Sequence, residues 1–518
     1  LSIRNQFLFI LFLLSLFIAL PAVASAKPDL SNYTGAKFEP VEGSYLGAYV
    51  VQDVNIDAHM PTFNEITGKH HSSFFRYLGY GREFPRLWVQ EVKDAGAVPQ
   101  IAWEPNSGLE HVNDDEYLRS FARACAEADV PIFLRFASEM NGDWSAYSGD
   151  PDEFIKKWRL VHRVMAEEAP NVAMVWTVFT FPQGNILDYY PGDDYVDWVG
   201  VNVYNVVYHN NNINHYAAYQ DPIQLMDYVY RTFGDRKPIH ISEWGVTHYT
   251  ITDGKYYVEW SQEKLRRMYD GIRELRPRAK AIYYFDVNNL VNAPEGRRIN
   301  NYSLTCDEDK LNTYSEVVNH DFYLSRTYDN TVNVLLDGAE VVLTDNLIVT
   351  DEKTYIPVRD VAAAAGYYPS WAGNALVLEK DGENFSLPLT TTGGLLLHQG
   401  KSYLELQLLN KILGQQVELA GDVIVRLPEP LRSIEIGNEI LTFDEDFPYF
   451  TIYGEPMLPA RHTLTALDSG LKLAFNADST ITVTLGKQQT TINPDNNPGA
   501  VIHKGTLYMS VEELEKLL

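Results

Sequence analysis

The sequence predicts an α/β protein: a (β/α)8 barrel followed by a C-terminal α+β tandem-repeat region. From Gly43 to about Asn289, short apolar runs alternate with amphipathic stretches, and eight of the runs have strand length. These runs are continuously apolar, as expected of parallel strands covered on both faces by helices. After about His320 the pattern changes to short alternating strands and turns, in which related phrases recur at a fixed spacing.

Taken in order, Arg4, the apolar run Phe7 to Leu20 and the small residues Ala24-Ser25-Ala26 have the form of a secretory leader, residues 1–26. The run is short for a membrane span, and no later segment is apolar enough to be one. The mature chain is therefore expected to be secreted and extracellular, in solution or associated with the cell wall. The predicted barrel strands are Tyr45 to Val51, Ser73 to Leu78, Val98 to Trp103, Ile132 to Phe136, Ala173 to Val178, Trp198 to Val203, Ile239 to Ser242 and Ile282 to Phe285. Helical patterns fall between most of them, at Glu116 to Ala128, Pro151 to Ala169, Pro222 to Phe233 and Val258 to Arg276.

Composition narrows the function. A formal net charge of −27 argues against nucleic acid and anionic membrane surfaces as partners and leaves neutral ligands open. The aromatic content, with 33 Tyr, 23 Phe and 9 Trp, suits sugar stacking as well as core packing. With only Cys125 and Cys306 present, disulfides do not hold this fold together, and Cys125 reads as a small buried hydrophobe in a helical pattern. His70 and His71 have no spaced third ligand, so no metal and no cofactor are expected.

The polar residues at the strand ends carry the chemistry. The stretch P-I-F-L-R-F-A-S-E-M-N-G-D-W, Pro131 to Trp144, delivers Glu139 at the end of the fourth strand. K-P-I-H-I-S-E-W-G, Lys237 to Gly245, delivers Glu243 at the end of the seventh. In such a barrel the C-terminal strand ends form the active rim, and a retaining glycosidase needs two carboxyl groups about 5–5.5 Å apart. Glu139 is read as acid/base and Glu243 as nucleophile. Arg135 is placed to hold Glu243 ionised, and Tyr204 to donate to it. Trp103, Trp144, Tyr147 and Trp244 are candidate sugar platforms, although core packing claims at least one of them. Glu104, Ser138, Asn141 and Asn202 complete the candidate substrate-binding set, and Asp286 ends the eighth strand on the same rim.

Arg135 to Trp144 resembles the acid/base signature of glycoside hydrolase family 26, and Pro238 to Gly245 resembles its nucleophile signature. Ala102 to Pro105, Asp197 to Gly200 with Tyr204, and Tyr284 to Asp286 are similar to family elements in the same order. The resemblance covers about residues 40 to 305. It implies a clan A TIM barrel and retaining, endo-acting cleavage of a β-linked polysaccharide: β-mannan, β-1,3-1,4-glucan or β-1,3-xylan. Ser138 stands where the mannanases usually have His, and Asn202 where many have Asp, which puts mannan in doubt. A non-catalytic glycan-binding or cell-envelope protein built on the same barrel is the alternative.

The C-terminal text repeats around Thr354 to Val361 and Pro456 to Arg461, with Pro357 and Pro459, and Arg359 and Arg461, at one spacing. These segments resemble the copper amine oxidase N-terminal-like, or stalk, domain. The resemblance implies a spacer or an envelope-glycan contact, and the segment has no His cluster that would bind copper. The expected division is leader 1–26, barrel 27–320, linker 321–329, and repeats 330–430 and 431–518.

Overall fold

The structure, a computed structural model, describes residues 27–350, 353–390 and 394–420, then separate segments at 433–436, 439–442, 450–452, 455–467, 472–476, 480–485, 488–492, 500–503 and 506–516. The predicted leader lies outside the described residues. Eight parallel strands form the barrel: β1 (Ser44–Tyr49), β2 (Ser73–Gly79), β3 (Val98–Glu104), β4 (Ile132–Phe136), β5 (Val172–Phe179), β6 (Trp198–Asn205), β7 (Ile239–Val246) and β8 (Ala279–Phe285). Pairing of β8 with β1, from Tyr45↔Ala281 to Tyr49↔Phe285, closes it.

Around the strands lie α1 (Met60–Thr67), α2 (Arg86–Asp94), α3 (Glu116–Glu127), α4 (Pro151–Glu168), α5 (Pro222–Phe233), α6 (Val258–Leu275) and α7 (Glu308–Val318). An aspartate starts each of four of these helices by accepting a backbone N–H of the first turn: Asp115, Asp150, Asp221 and Asp307. Pro151 and Pro222 follow two of these caps, where a missing N–H costs nothing. β5 and β6 are joined by two 3-10 turns, Leu187–Tyr189 and Asp193–Tyr195, where a regular barrel has a helix.

Tyr45, Phe133, Trp198, His240 and Tyr283 fill the barrel interior with interlocking rings. Tyr283 needs Gly47 beside it, because a Cβ there would lie 2.2 Å from the ring. His71, the candidate barrel-wall histidine, is fully buried between Asn64 and the Tyr314 hydroxyl. Burial lowers its pKa to about 3. Both cysteines are free.

The segment expected to be a linker, 321–329, is instead built into the base of the barrel. Tyr323–Leu324 adds as a short strand, β9, beside Ser44 and Tyr45, and the Tyr328 N–H donates to the Tyr45 hydroxyl. Its aromatic residues and Thr327 have the start of β1 to cover, so they pack rather than span. Just beyond, Asn330 clasps the N-terminal segment by accepting from Phe38 N–H and donating to the Ala36 carbonyl. The apolar core continues from the barrel into Val334, Ile356 and Leu404.

The C-terminal region repeats one topology. Ile348–Val349, Thr354–Pro357, Lys401–Glu405 and Leu395–His398 form a four-stranded sheet in that spatial order. Phe450–Ile452, Glu455–Pro459, Thr506–Ser510 and Ala500–His503 form a second in the same order. Pro357 faces Tyr403 in one and Pro459 faces Tyr508 in the other, so the recurring phrases occupy equivalent positions. A three-stranded meander accompanies each sheet, Tyr368–Pro388 and Lys472–Ile492. Among the described residues no helix is long and apolar enough to cross a membrane.

Candidate active site

Glu139 follows β4 on an unusual piece of backbone. Ala137 and Glu139 both have positive φ, 49° and 61°. Left-handed geometry costs a non-glycine residue roughly 1–2 kcal/mol. The surroundings hold it in place: Ala137 N–H donates to the Trp103 carbonyl at 3.1 Å, Glu139 N–H to the Thr177 carbonyl at 3.0 Å, and Ser138 N–H to Glu104 at 3.0 Å. The chain is thereby anchored to β3 and β5 on either side, and the carboxyl group is presented at the rim. Asn202 donates to one oxygen of Glu139 at 2.7 Å and the Trp144 indole N–H to the other at 2.9 Å.

Glu243 is positioned by a bulge. In the pairing of β6 with β7, Val201 faces Ile241 but Asn202 faces Glu243, so Ser242 is the extra residue. The bulge turns Glu243 toward the barrel axis, where Arg135 pairs with it at 2.7 Å and the Tyr204 hydroxyl donates at 2.6 Å. Arg135 and Glu243 are both buried, at 1% and 4% exposed. Removing one member of such a pair leaves an uncompensated buried charge. Arg135→Met is therefore expected to lower stability by about 3–5 kcal/mol, read from the urea unfolding midpoint.

The two carboxyl groups sit in opposite settings. Burial, and then the Glu243 charge, push the Glu139 pKa up to about 7, against the opposing donors Asn202 and Trp144. Glu243 has a cation and a phenol donor of its own. One group can therefore enter a reaction as an acid while the other enters as an anion, the division of labour that proton donation plus nucleophilic attack requires.

Of the other candidate residues, the structure places Tyr204 and Arg135 around Glu243, and Trp144 and Asn202 around Glu139. Arg135 is sealed below the site and positions Glu243 rather than touching a ligand. Trp144 is 44% exposed and stands at the rim. Trp103 and Trp244 are not sugar platforms: both are 0% exposed, Trp103 stacked on Phe121 at 4.0 Å and Trp244 packed near Tyr284. Successive strand residues point to opposite faces, so a tryptophan beside a rim glutamate is turned outward to the helices. Asn141 does not face a ligand either. Its amide donates to the Phe179 and Pro182 carbonyls and accepts from Phe179 N–H, clamping the end of β5.

Tyr147 is buried and donates to Glu104 at 2.6 Å and to the Ser138 carbonyl at 2.8 Å, so both it and Glu104 brace the Ser138–Glu139 turn. Burial raises the pKa of Glu104 despite Arg135 and those donors. The Ser138 hydroxyl is buried without a partner, as is the Asn202 carbonyl oxygen. Asp286 is fully buried beside Asp53 and accepts from Leu304 N–H, so it ties a loop down rather than facing the rim opening. Tyr77, at the end of β2, escaped the sequence reading. Its hydroxyl is within hydrogen-bonding reach of Glu243 and its residue is 39% exposed. The signal was present in the polar aromatic one residue before the end of Ser73 to Leu78. Among the described residues, no group of three or more His, Cys, Asp or Glu could hold a metal ion.

Residues 115–276 match the family model for glycosyl hydrolase family 26. That segment contains Arg135, Glu139, Asn202, Tyr204 and Glu243. Over 196 residues the chain is 28% identical to endoglucanase H of Acetivibrio thermocellus, covering 34% of this chain and 21% of that protein. Over 107 residues it is 30% identical to the β-1,3-xylanase TXYA of a Vibrio species, covering 19% of this chain and 23% of that protein. The chain thus spans less than a quarter of the length of these curated relatives. A family 26 β-mannanase from Bacteroides ovatus aligns in structure with a TM-score of 0.39 at 11% identity, over 55% of this chain and 90% of that one.

Proposed function

We propose that this chain is a retaining endo-β-glycosidase acting on a β-linked polysaccharide by double displacement. The observation that carries the reading is the pairing of Glu139, held protonated up to about pH 7, with Glu243, ion-paired to Arg135. In the first step Glu139 gives its proton to the departing glycosidic oxygen while Glu243 attacks the anomeric carbon, breaking the C–O bond and forming a glycosyl ester. In the second, Glu139 takes a proton from water, the resulting hydroxide attacks the anomeric carbon, and Glu243 leaves as a carboxylate. Family 26 sequence over residues 115–276 supports this reading, as do relatives named endoglucanase and β-1,3-xylanase. The family's substrates are β-mannan, β-1,3-1,4-glucan and β-1,3-xylan. Ser138 is shorter than histidine and uncharged, so it cannot reach or charge-pair as a histidine there would, which places mixed-linkage glucan and β-1,3-xylan level with mannan.

The chain acts outside the cell in this reading, after removal of the leader. The repeats at 330–430 and 431–518 are stalk-like modules that position the barrel against wall or envelope glycan. Reducing-sugar release from mannan, lichenan, barley β-glucan, β-1,3-xylan and cellulose, with Glu243→Ala as the control, tests the whole reading. Release that persists in that variant would refute the assignment.

A further inference from the structure

Beside the catalytic pair lies a cleft of about 670 Å³ whose chemistry the reaction does not use. It begins at Tyr204, the donor to Glu243, and runs outward between the end of β5, the loop after β6 and the loop after β8. Its walls are of two kinds. Phe181, 47% exposed, and Tyr208 offer ring faces. His209, His215 and Arg297 line it too, with Asn and Gln amides between. No Asp or Glu lines the cleft, although the chain carries 69 of them.

The basic side of the cleft comes from two separate loops. His209 and His215 are brought together by a compact hairpin: Tyr208 bridges to Tyr216, His209 N–H donates to the His215 carbonyl at 2.9 Å, and the Tyr208 and Tyr216 rings meet at 5.8 Å. Arg297 comes from the other side, on the turn Glu295–Arg297, and its guanidinium makes no ion pair among the described residues. Acids just outside the lining are Glu295 on the same turn, which makes no ion pair with Arg297, Glu243, which is held by Arg135 and the Tyr204 hydroxyl, and Asp253. Asp253 is already engaged by the Tyr208 hydroxyl at 3.2 Å and the Tyr257 hydroxyl at 2.5 Å. The chain's overall negative charge is screened beyond about 8–10 Å at physiological salt, so the local lining decides what the cleft accepts.

We infer that this cleft is a subsite for an acidic sugar: a ring bearing a carboxylate, as in a uronic-acid-containing β-glycan, stacked on the aromatic wall with its carboxylate on Arg297. Guanidinium is the side chain best shaped to hold a carboxylate through two parallel N–H bonds. The inference rests on the glycosidase reading for the identity of the polymer, and it names a substrate class narrower than neutral β-glycan.

The test reads binding rather than turnover. The full chain is titrated calorimetrically with gluco- and manno-oligosaccharides and with the same oligosaccharides oxidised at C6 to uronates. The oxidised form is expected to bind at least about 10-fold tighter, the affinity equivalent of one charge-assisted hydrogen bond. That preference should collapse at about 0.5 M salt. It should also collapse in Arg297→Gln and return in part in Arg297→Lys, while affinity for the neutral parents stays unchanged in both. Equal affinity for the oxidised and parent forms, or no binding of either, overturns the inference, as does an Arg297→Gln variant that weakens both forms alike. A chain that prefers uronates but cleaves no glycan would keep the subsite and sink the hydrolase reading. A chain that cleaves neutral glycan without preferring uronates would do the reverse.

Discussion

Glu243→Ala is expected to abolish polysaccharide cleavage, with kcat/KM falling by about 10⁴-fold or more. The loss should be as severe with an activated aryl glycoside as with the natural polymer, because a good leaving group still needs a nucleophile. Added azide is small enough to enter the space vacated by the carboxylate. It should displace the activated aryl group directly, giving a glycosyl azide of inverted, α configuration. An α-azide identifies Glu243 as the attacking group. Substantial cleavage without azide would show that another group attacks, and Tyr77 and Tyr204, the hydroxyls against Glu243, would be the next to replace. The variant also probes stability. It leaves Arg135 buried without its partner, so a lower unfolding midpoint is expected alongside the loss of turnover.

What could be read from sequence follows from what sequence periodicity encodes. Glu139 and Glu243 stood out because each interrupts an apolar run at the point where a buried strand must end. Arg135, across the barrel on β4, and Tyr204, on the neighbouring β6, were legible as partners of Glu243 because a cation or a phenol inside a barrel has few other partners. Trp103 and Trp244 were misassigned as platforms although the sequence held the correction: each is the immediate neighbour of a rim glutamate, and adjacent strand residues face opposite ways. The bulge at Ser242 and the left-handed turn at Ala137 and Glu139 were not legible, since both arise from how β3, β5 and β6 grip the chain. Local pattern alone makes 321–329 a linker, because its role depends on pairing with the start of β1, which no local pattern announces. The repeats were legible because Pro357 and Pro459 mark the same strand end twice.

Glu139→Ala should separate the two steps that Glu243→Ala stops together. Losing the proton donor is expected to cost about 10²–10⁴-fold on a polysaccharide, whose alkoxide leaves poorly without a proton. A dinitrophenyl glycoside leaves unaided, so its first step should be nearly unimpaired and the glycosyl ester on Glu243 should accumulate, since no base remains to activate water. Azide needs no base and should restore turnover, giving the azide of retained, β configuration, the opposite of the Glu243→Ala product. The pH profile is the second readout. The wild type should lose activity as pH rises through about 7, where Glu139 gives up its proton, and that limb should vanish for the activated substrate in Glu139→Ala. Stability should follow the same group. The folded state holds the Glu139 proton more tightly than the unfolded chain, so its contribution is full below the ordinary glutamate range and is lost as pH climbs through about 7. In Glu139→Gln, which cannot titrate, the unfolding midpoint should fall less over that window. A profile that keeps its alkaline limb in both variants would assign the proton to another group, and Glu104, also raised by burial and one strand away, would be the one to replace next.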